Sequence, residues 1–505
     1  MKYTRRNFLK VGGSAMLGAV LLPQFLQAHA PNSPEAIAAT LKNFGVEQSD
    51  LKKVITAALE KGGDYADLFF ENTFNNSLAL MDGAVNRASS NIDFGMGVRV
   101  IKGDQTGYAY VEDITLDNML KAARTASAIA SGNAKKVSLN VTEKAFPSYY
   151  SATTDWRDVS VPQKAPYLQK LNDTIFKADP SVVKASVFLN DSTSIVMFYN
   201  SEGTFYTDYR PMVILGTNCT MEKDGKRESG GASRAYRKGF EFLNDDIIAL
   251  LAKESIELTQ KMFEAVKPDG GEMPVVMGAG GSGILLHEAI GHAFEADFNR
   301  KNVSIFSDKL NKKVCDEHIS VVDDGTIMSN RGAVSIDDEG TLGQKTYIVK
   351  DGILTSYLHD RISAKHYGVA PTGNGRRQSF RFTPIPRMRV TYMENGNTTE
   401  QDIISSVKKG IYVNQFTNGQ VNIGAGDFTF FVKLGYLIED GKLTQPIKDI
   451  NIIGNGPQAL ADITMVANNL QIDNGAWTCG KDGQGCPVTQ GMPSALVKKL
   501  TVGGK

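Results

Sequence analysis

The chain has 505 residues, 42% hydrophobic and 22% charged, with Lys+Arg and Asp+Glu balanced at 55 each. That length exceeds what one hydrophobic core serves and predicts two or three domains, while the neutral balance excludes a global field that would recruit nucleic acid or a membrane surface. The four cysteines, Cys219, Cys315, Cys479 and Cys486, are too few for a disulfide scaffold, and the 49 glycines predict many tight turns and a β-rich chain.

Thr4-Arg5-Arg6-Asn7-Phe8-Leu9-Lys10 precedes a weakly apolar run, Val11 to Leu22. Paired arginines, Phe-Leu two places on and a Gly/Ala-rich apolar region form the twin-arginine export pattern. Residues 1–30 are therefore expected to be a signal segment and the protein periplasmic, or membrane-tethered if the segment is retained. A spanning anchor is the alternative, but the run is short and Gly-rich for that role. Ala28-His29-Ala30 has the form of a cleavage site, although Pro31 follows it directly. No cysteine follows to carry a lipid, and no other stretch is long and apolar enough to cross a bilayer. This route moves folded protein, so a metal could be loaded beforehand in a reducing compartment.

Residues 34–266 read as an N-terminal α+β domain. Ile37, Leu41, Leu51, Val54, Ile55 and Leu59 carry helical periodicity up to Gly62-Gly63. Short strands are then expected at Leu68–Phe70, Leu78–Leu80 and Gly95–Ile101, with Thr106–Val111 pairing back and a helix over Leu116–Ala130. A polar connection leads to the same order again: a helix over Gln163–Ala178, strands at Val182–Leu189, Ser194–Tyr199 and Thr204–Cys219, and a helix over Asp245–Val266. The recurrence predicts antiparallel sheet with packed helices rather than parallel βαβ units. Lys267-Pro268-Asp269-Gly270-Gly271 marks the domain boundary.

Residues 272–505 read as a β-rich, barrel- or sandwich-like C-terminal domain. A strand at Met273–Met277 leads through Gly278-Ala279-Gly280-Gly281-Ser282-Gly283 into a helix. Further strands are expected at Val314–Asp323, Gly332–Ile336, Thr346–Val349, Ile353–Leu358, Arg387–Met393, Val421–Ile423, Phe428–Ile438 and Ile450–Ile453, with one helix at Gln401–Lys409. The Gly-rich loop lacks the ending of a phosphate-binding P-loop, and its glycines are read as allowing close packing.

That helix carries His287-Glu288-x-x-x-His292, one residue longer than the H-E-x-x-H zinc motif. Two imidazoles can ligate a metal, and the carboxylate after the first can serve as general base on water. In a regular α-helix, positions five apart point about 140° from each other and cannot share one ion. A π-type turn brings them back to nearly one face, and Gly291, lacking a Cβ, is the expected place for the widening. A catalytic zinc needs a third protein ligand from elsewhere.

The stretch HEAIGHAFEADFNRK, with the downstream VVDDGT, SIDDEGT, GVAPTGNGRR, PRM, DNG-x3-CGKDGQ and LTVGG, resembles the TldD, or catalytic, branch of the TldD/PmbA family of metalloproteases. The resemblance covers nearly the whole chain after the signal segment and is densest from residue 275. It implies zinc held by His287, His292 and Cys479, with Glu288 as the base in hydrolysis of short or unfolded peptides. It also implies a cleft enclosed by dimerisation, with a second copy or a PmbA-like paralogue. Neutral imidazoles and one thiolate suit a borderline-soft divalent ion. A non-catalytic, zinc-containing assembly subunit is the competing reading. A modulator of nucleic-acid machinery, an older label in the family, fits neither the charge balance nor the export signal.

Several other residues carry open readings. Cys486 follows Cys479 by seven places, and a disulfide between them would remove the third ligand. Cys219 and Cys315 read as buried, inert thiols. Asp323-Asp324-Gly325 and Asp337-Asp338-Glu339-Gly340 read as turns or as a second cation site. Arg376 or Arg377 is a candidate for binding a peptide carboxylate or backbone, with a structural ion pair as the alternative. His318, His359 and His366 lack ligand spacing.

Overall fold

The computed structural model describes residues 34–133 and 141–504; the expected signal segment lies outside the described residues. Asp82 and Gly83, both at positive φ, make a tight turn that folds Tyr65–Met81 back on Ala84–Lys102 as a long antiparallel hairpin. Gln105–Val111 pairs on one side of this hairpin. On the other side Val182–Asn200, Thr204–Lys223 and Lys226–Tyr236 follow in sequence order, all antiparallel.

Helices Gln48–Ala58 and Leu116–Ser127 cover one end of these strands through Leu51, Val54, Met119 and Ala123 against Leu68, Phe70 and Met197. Helices Val161–Ala178 and Asp245–Glu264 cover the other end through Leu168, Leu171, Leu251 and Ile256 against Val187, Leu189 and Leu215. The expected repetition of helix and antiparallel strands is therefore built on one continuous sheet.

Two sequence expectations change in this half. The helical stretch after residue 34 is two helices, Pro34–Phe44 and Gln48–Ala58, broken at Gly45, whose φ is +66°. The paired short strands Leu68–Phe70 with Leu78–Leu80, and Val182–Leu189 with Ser194–Tyr199, are single strands. Their polar middles look like turns in the sequence but are paired on both edges. Asp191 is held by Asn76 across the strand pair and by Lys164 of the helix Val161–Ala178, and Thr193 by Asp155, so tertiary partners outweigh local turn preference.

In the C-terminal half, Gly271–Met277 lies between Lys409–Val421, parallel, and Ala495–Gly503, antiparallel. Asp427–Glu439 and Lys442–Asn455 extend the sheet, and Asn451–Ile453 pair back onto Thr501–Gly503, closing a barrel. A second sheet joins Val321–Asp324, Lys345–Lys350, Ile353–Leu354, Val390–Met393, Gln471–Asp473 and Thr489–Met492. The expected strand at Gly332–Ile336 is instead turn and loop. Between the sheets lies one large core, in which Leu285, Leu286 and Ile290 pack with Val413, Phe430 and Met388.

Buried ion pairs join the two halves. Arg99 donates to Asp67 at 2.8 Å and to Glu339 at 2.6 Å, and Arg210 reaches Asp338 at 2.7 Å. The acidic runs thus receive arginines and backbone amides, Asp337 accepting from the amides of Glu339, Thr341 and Gly375. Removing one partner strands buried charge. Arg99→Met is expected to destabilise the chain by about 3–5 kcal/mol in urea titration; a loss below about 1 kcal/mol would show the pair to be dispensable.

Candidate metal centre

The motif segment is wound as expected. Leu285–Gly291 is a π-helix, preceded by a 3-10 turn at Gly281–Gly283 and followed by another at His292–Phe294. Three glycines make this winding possible by close approach. A Cβ on Gly291 would lie 2.3 Å from Met388 Sδ and 2.8 Å from the carbonyl oxygen of Leu286, five residues back on its own turn. A Cβ on Gly283 would meet the Gly491 backbone at 2.5 Å, and one on Gly456 the Ala289 carbonyl at 2.0 Å. The glycine loop therefore serves packing, chiefly against Asn414 and Gly491.

The winding turns His287 and His292 toward each other, their ring centroids 5.1 Å apart and nearly perpendicular. Cys479, 187 residues further on, places its Sγ 3.3 Å from His292 Nε2. Ligand atoms of His287, His292 and Cys479 all lie within 4.8 Å of one another, a convergence of metal-ligand types found at no other place among the described residues. All three side chains are buried. The Cys479 sulfur interacts with both imidazoles, so the donor set is already drawn together around one point. Two imidazoles and a thiol fit a borderline-soft divalent ion such as zinc.

Charge around the site prepares the thiolate, while Glu295 and Cys479 outweigh burial and hold His292 toward its protonated form, so a metal would take the place of that proton. Burial opposes ionisation of Cys479, yet His292 and His287 outweigh it and hold the thiol well below its ordinary range. Arg387 donates to the Cys479 carbonyl, placing a buried cation beside the hairpin. His292 Nδ1 donates to Glu295 Oε2 at 2.9 Å, which fixes the ring and turns Nε2 toward Cys479. Burial would raise the Glu295 carboxyl, but Lys481 and His292 bring it down to about 2. Lys481 lies 3.1 Å from Glu295 and 2.7 Å from Asp297.

Glu288 is half-buried and reaches the strand Lys409–Val421, where a Cβ on Gly419 would stand 3.1 Å from its Cγ. That strand pairs with Asp427–Glu439 along its length but with Gly271–Met277 only over Ile411–Val413. From Asn414 to Val421 its other edge has no strand partner among the described residues. A groove of about 610 Å³ between Arg234, Glu254 and Trp477 takes in Asn414 to Thr417; its wall does not include Glu288 or the three ligands.

Cys479 and Cys486 sit directly opposite each other on the hairpin Thr478–Lys481 and Gln484–Pro487, and both are free and buried. Cys219 and Cys315 are also free and buried. Arg376 and Arg377 are not brought to the metal ligands. Arg376 donates to the Met388 and Pro487 carbonyls; Arg377 donates to the Asp338 carbonyl and lies 3.6 Å from Asp67. His318 meets Asp316, His359 lies between Tyr357 and Tyr367, and His366 meets Tyr367 edge-on. Sequence reading missed Glu295, Lys481 and Arg387. Glu295 was detectable, three residues past His292 on the same segment.

The chain matches known proteins over most of its length. Residues 270–504 match the model of the PmbA/TldA metallopeptidase C-terminal domain, 66–130 that of domain 1, and 154–263 that of the central domain. The chain is 40% identical to a metalloprotease TldD homolog of Haemophilus influenzae, over 87% of this chain and 93% of that one. It is 28% identical to a zinc metalloprotease TldD homolog of Saccharolobus solfataricus, over 90% of this chain and 99% of that one. In fold it is similar to the crystal structure of TldE from Thermococcus kodakarensis, with a TM-score of 0.69 at 20% identity, covering 90% of this chain and 100% of that one.

Substitutions at Gly291, Met388 and Glu295 probe the site. Gly291→Ala is expected to cost about 1–3 kcal/mol and to lower metal retained after dialysis. Adding Met388→Ala should not restore the metal, because the Leu286 carbonyl still blocks the Cβ; full retention in Gly291→Ala would refute this. Glu295→Gln is expected to weaken metal affinity about 10–100-fold in competition with a chelating dye, and unchanged affinity would remove Glu295 from the site.

Proposed function

Because the chain belongs to the PmbA/TldD family of metallopeptidases, we propose that it is a zinc-dependent peptidase acting on short or unfolded peptides. The observation that carries this reading is the convergence of His287, His292 and Cys479 beside Glu288 and an unpaired strand edge. Held by those three ligands, zinc would supply Lewis acidity toward the scissile carbonyl and toward water. Glu288 takes the proton of the attacking water on its carboxylate and delivers it to the leaving amine. The edge Asn414–Val421 offers backbone N–H and C=O groups to an extended chain, which would add as a further strand and carry its scissile bond past Glu288. A folded protein cannot present such a strand, so the preference is for unstructured peptides.

Two further parts of the reading rest on the sequence. The twin-arginine segment supports export in a folded, metal-loaded state and a periplasmic location. The resemblance supports a dimer, with a second copy or a PmbA-like paralogue closing the groove.

Purified chain should cleave an unstructured peptide, lose that activity to a chelator and regain it with zinc. Glu288→Ala is expected to keep its zinc and lose cleavage by at least about 100-fold, whereas Cys479→Ser should lose zinc. Undiminished cleavage by Glu288→Ala contradicts the mechanism. Zinc retention without cleavage of any peptide by the native chain and its partners would favour the non-catalytic assembly subunit.

A further inference from the structure

Where the two halves of the chain meet, three buried guanidinium groups lack a carboxylate within ion-pair distance; Asp208, which attracts Arg237 at longer range, is bonded to Arg210. Arg237, Arg331 and Arg376 are each no more than 6% exposed, and no ion pair is found for any of them among the described residues. Their neighbours differ: Arg99 is matched by Asp67 and Glu339, Arg210 by Asp208 and Asp338, and Arg389 by Asp323. Arg331 donates to the Trp477 carbonyl and Thr478 Oγ1, and Arg376 to the Met388 and Pro487 carbonyls. Arg237 lies over the Tyr150 ring at 4.9 Å, with its Nε buried and unpartnered. These like charges oppose one another: burial, Arg237 and Arg376 together bring Arg331 down to about 10. Buried cations without a counter-charge cost folding free energy unless something completes the set.

A cavity of about 140 Å³ lies against this cluster, with Arg237 and Arg376 in its wall and Tyr150, Ser192 and Ser194 beside them. Two acids also line it. Asp338 is committed to Arg210 and to the Arg377 amide, while Glu71 accepts from Thr73 and from the Phe380 amide. Neither is positioned as a counter-ion to Arg237 or Arg376. Exposed Gln378 and half-buried Ser192 and Ser194 form its mouth.

We propose that this cavity binds a small oxyanion, held by Arg237 and Arg376 and by hydroxyl groups of Ser192, Ser194 and Tyr150. The ligand class is an anionic group rich in acceptor oxygens, the chemistry that guanidinium donors match. Inorganic phosphate or sulfate is one source and the carboxylate of a small acid the other. The site also touches the metal centre indirectly. Arg376 grips Pro487, next to Cys486, and Met388, whose sulfur backs Gly291; Arg331 grips the two residues before Cys479. An anion held by Arg237 and Arg376 lowers the positive charge that both exert on Arg331 at the base of the cysteine hairpin. The inference is independent of peptidase activity.

The test is calorimetric titration of the full chain with phosphate, sulfate and acetate against chloride at matched ionic strength, with thermal unfolding followed in parallel. It is run on metal-loaded and metal-stripped protein, so that an anion on the metal itself is told apart. A saturable site with one anion per chain is expected in both forms, with a raised unfolding temperature. Arg237→Gln should weaken it at least about 10-fold. Ser192→Glu, which plants a carboxylate at the mouth, should raise the unfolding temperature without added anion and abolish the response. Response to phosphate and sulfate alone identifies an inorganic oxyanion; response to acetate as well identifies a carboxylate. No saturable response beyond chloride, or binding confined to the metal-loaded form, overturns the proposal. Should Arg237→Gln fail to fold, an undiminished response in Ser192→Glu overturns it equally.

Discussion

Two imidazoles five positions apart can meet one ion only if the backbone between them is wound more widely than an α-helix. A π-helix is seldom favourable by itself, so the surroundings must hold it. Here backbone and side chains press on three sides: Met388 under Gly291, Gly491 against Gly283, and the start of the helix Gly456–Ala461 against Ala289. Each contact needs a position without a Cβ, and each partner comes from a different part of the C-terminal half. The core around Leu285, Leu286 and Ile290 buries the remaining face. The motif is thus a property of the closed barrel and its companion sheet as much as of its own residues.

The third ligand arrives by the same logic. The hairpin with Cys479 follows directly from the strand Gln471–Asp473 and leads into Thr489–Met492, both in the sheet against which the glycine loop packs. Electrostatics then prepare the thiolate, while a metal would displace the proton that Glu295 and Cys479 hold on His292. The two imidazoles hold Cys479 toward thiolate, Glu295 orients His292, and Lys481 keeps Glu295 ionised despite complete burial. Opposite charges alternate outward from the metal centre, from Cys479 through His292 and Glu295 to Lys481 and Asp297. The arginine cluster at Arg237, Arg331 and Arg376 is where that balance is absent, and this sets it apart from the ion pairs that join the two halves.

The local parts of this architecture were legible in the residues. Helical and strand periodicity located most elements of the N-terminal sheet, and the extra residue in the motif demanded a widened turn at Gly291, which is present. What could not be read locally depends on pairing across the chain. Asn72 to Ser77 and Asn190 to Thr193 look like turns, yet both stretches lie within continuous strands because each is paired on two edges. The same holds for the site. His287, Glu288 and His292 announce themselves by spacing, whereas Cys479 needed a family resemblance, and Lys481 and Arg387 reach the centre only through tertiary packing. Arg376 and Arg377 attracted notice as a charged pair in a glycine-rich loop; tertiary structure places them in the interface between the halves.

The central claim is a metal held by two imidazoles and a single sulfur. X-ray absorption at the zinc edge of the metal-loaded chain reads that donor set directly. The account predicts one sulfur at about 2.3 Å and two imidazole nitrogens at about 2.0 Å, with the remaining position filled by a light oxygen donor. Two sulfurs, which would bring Cys486 into the shell, or none at all, would contradict it.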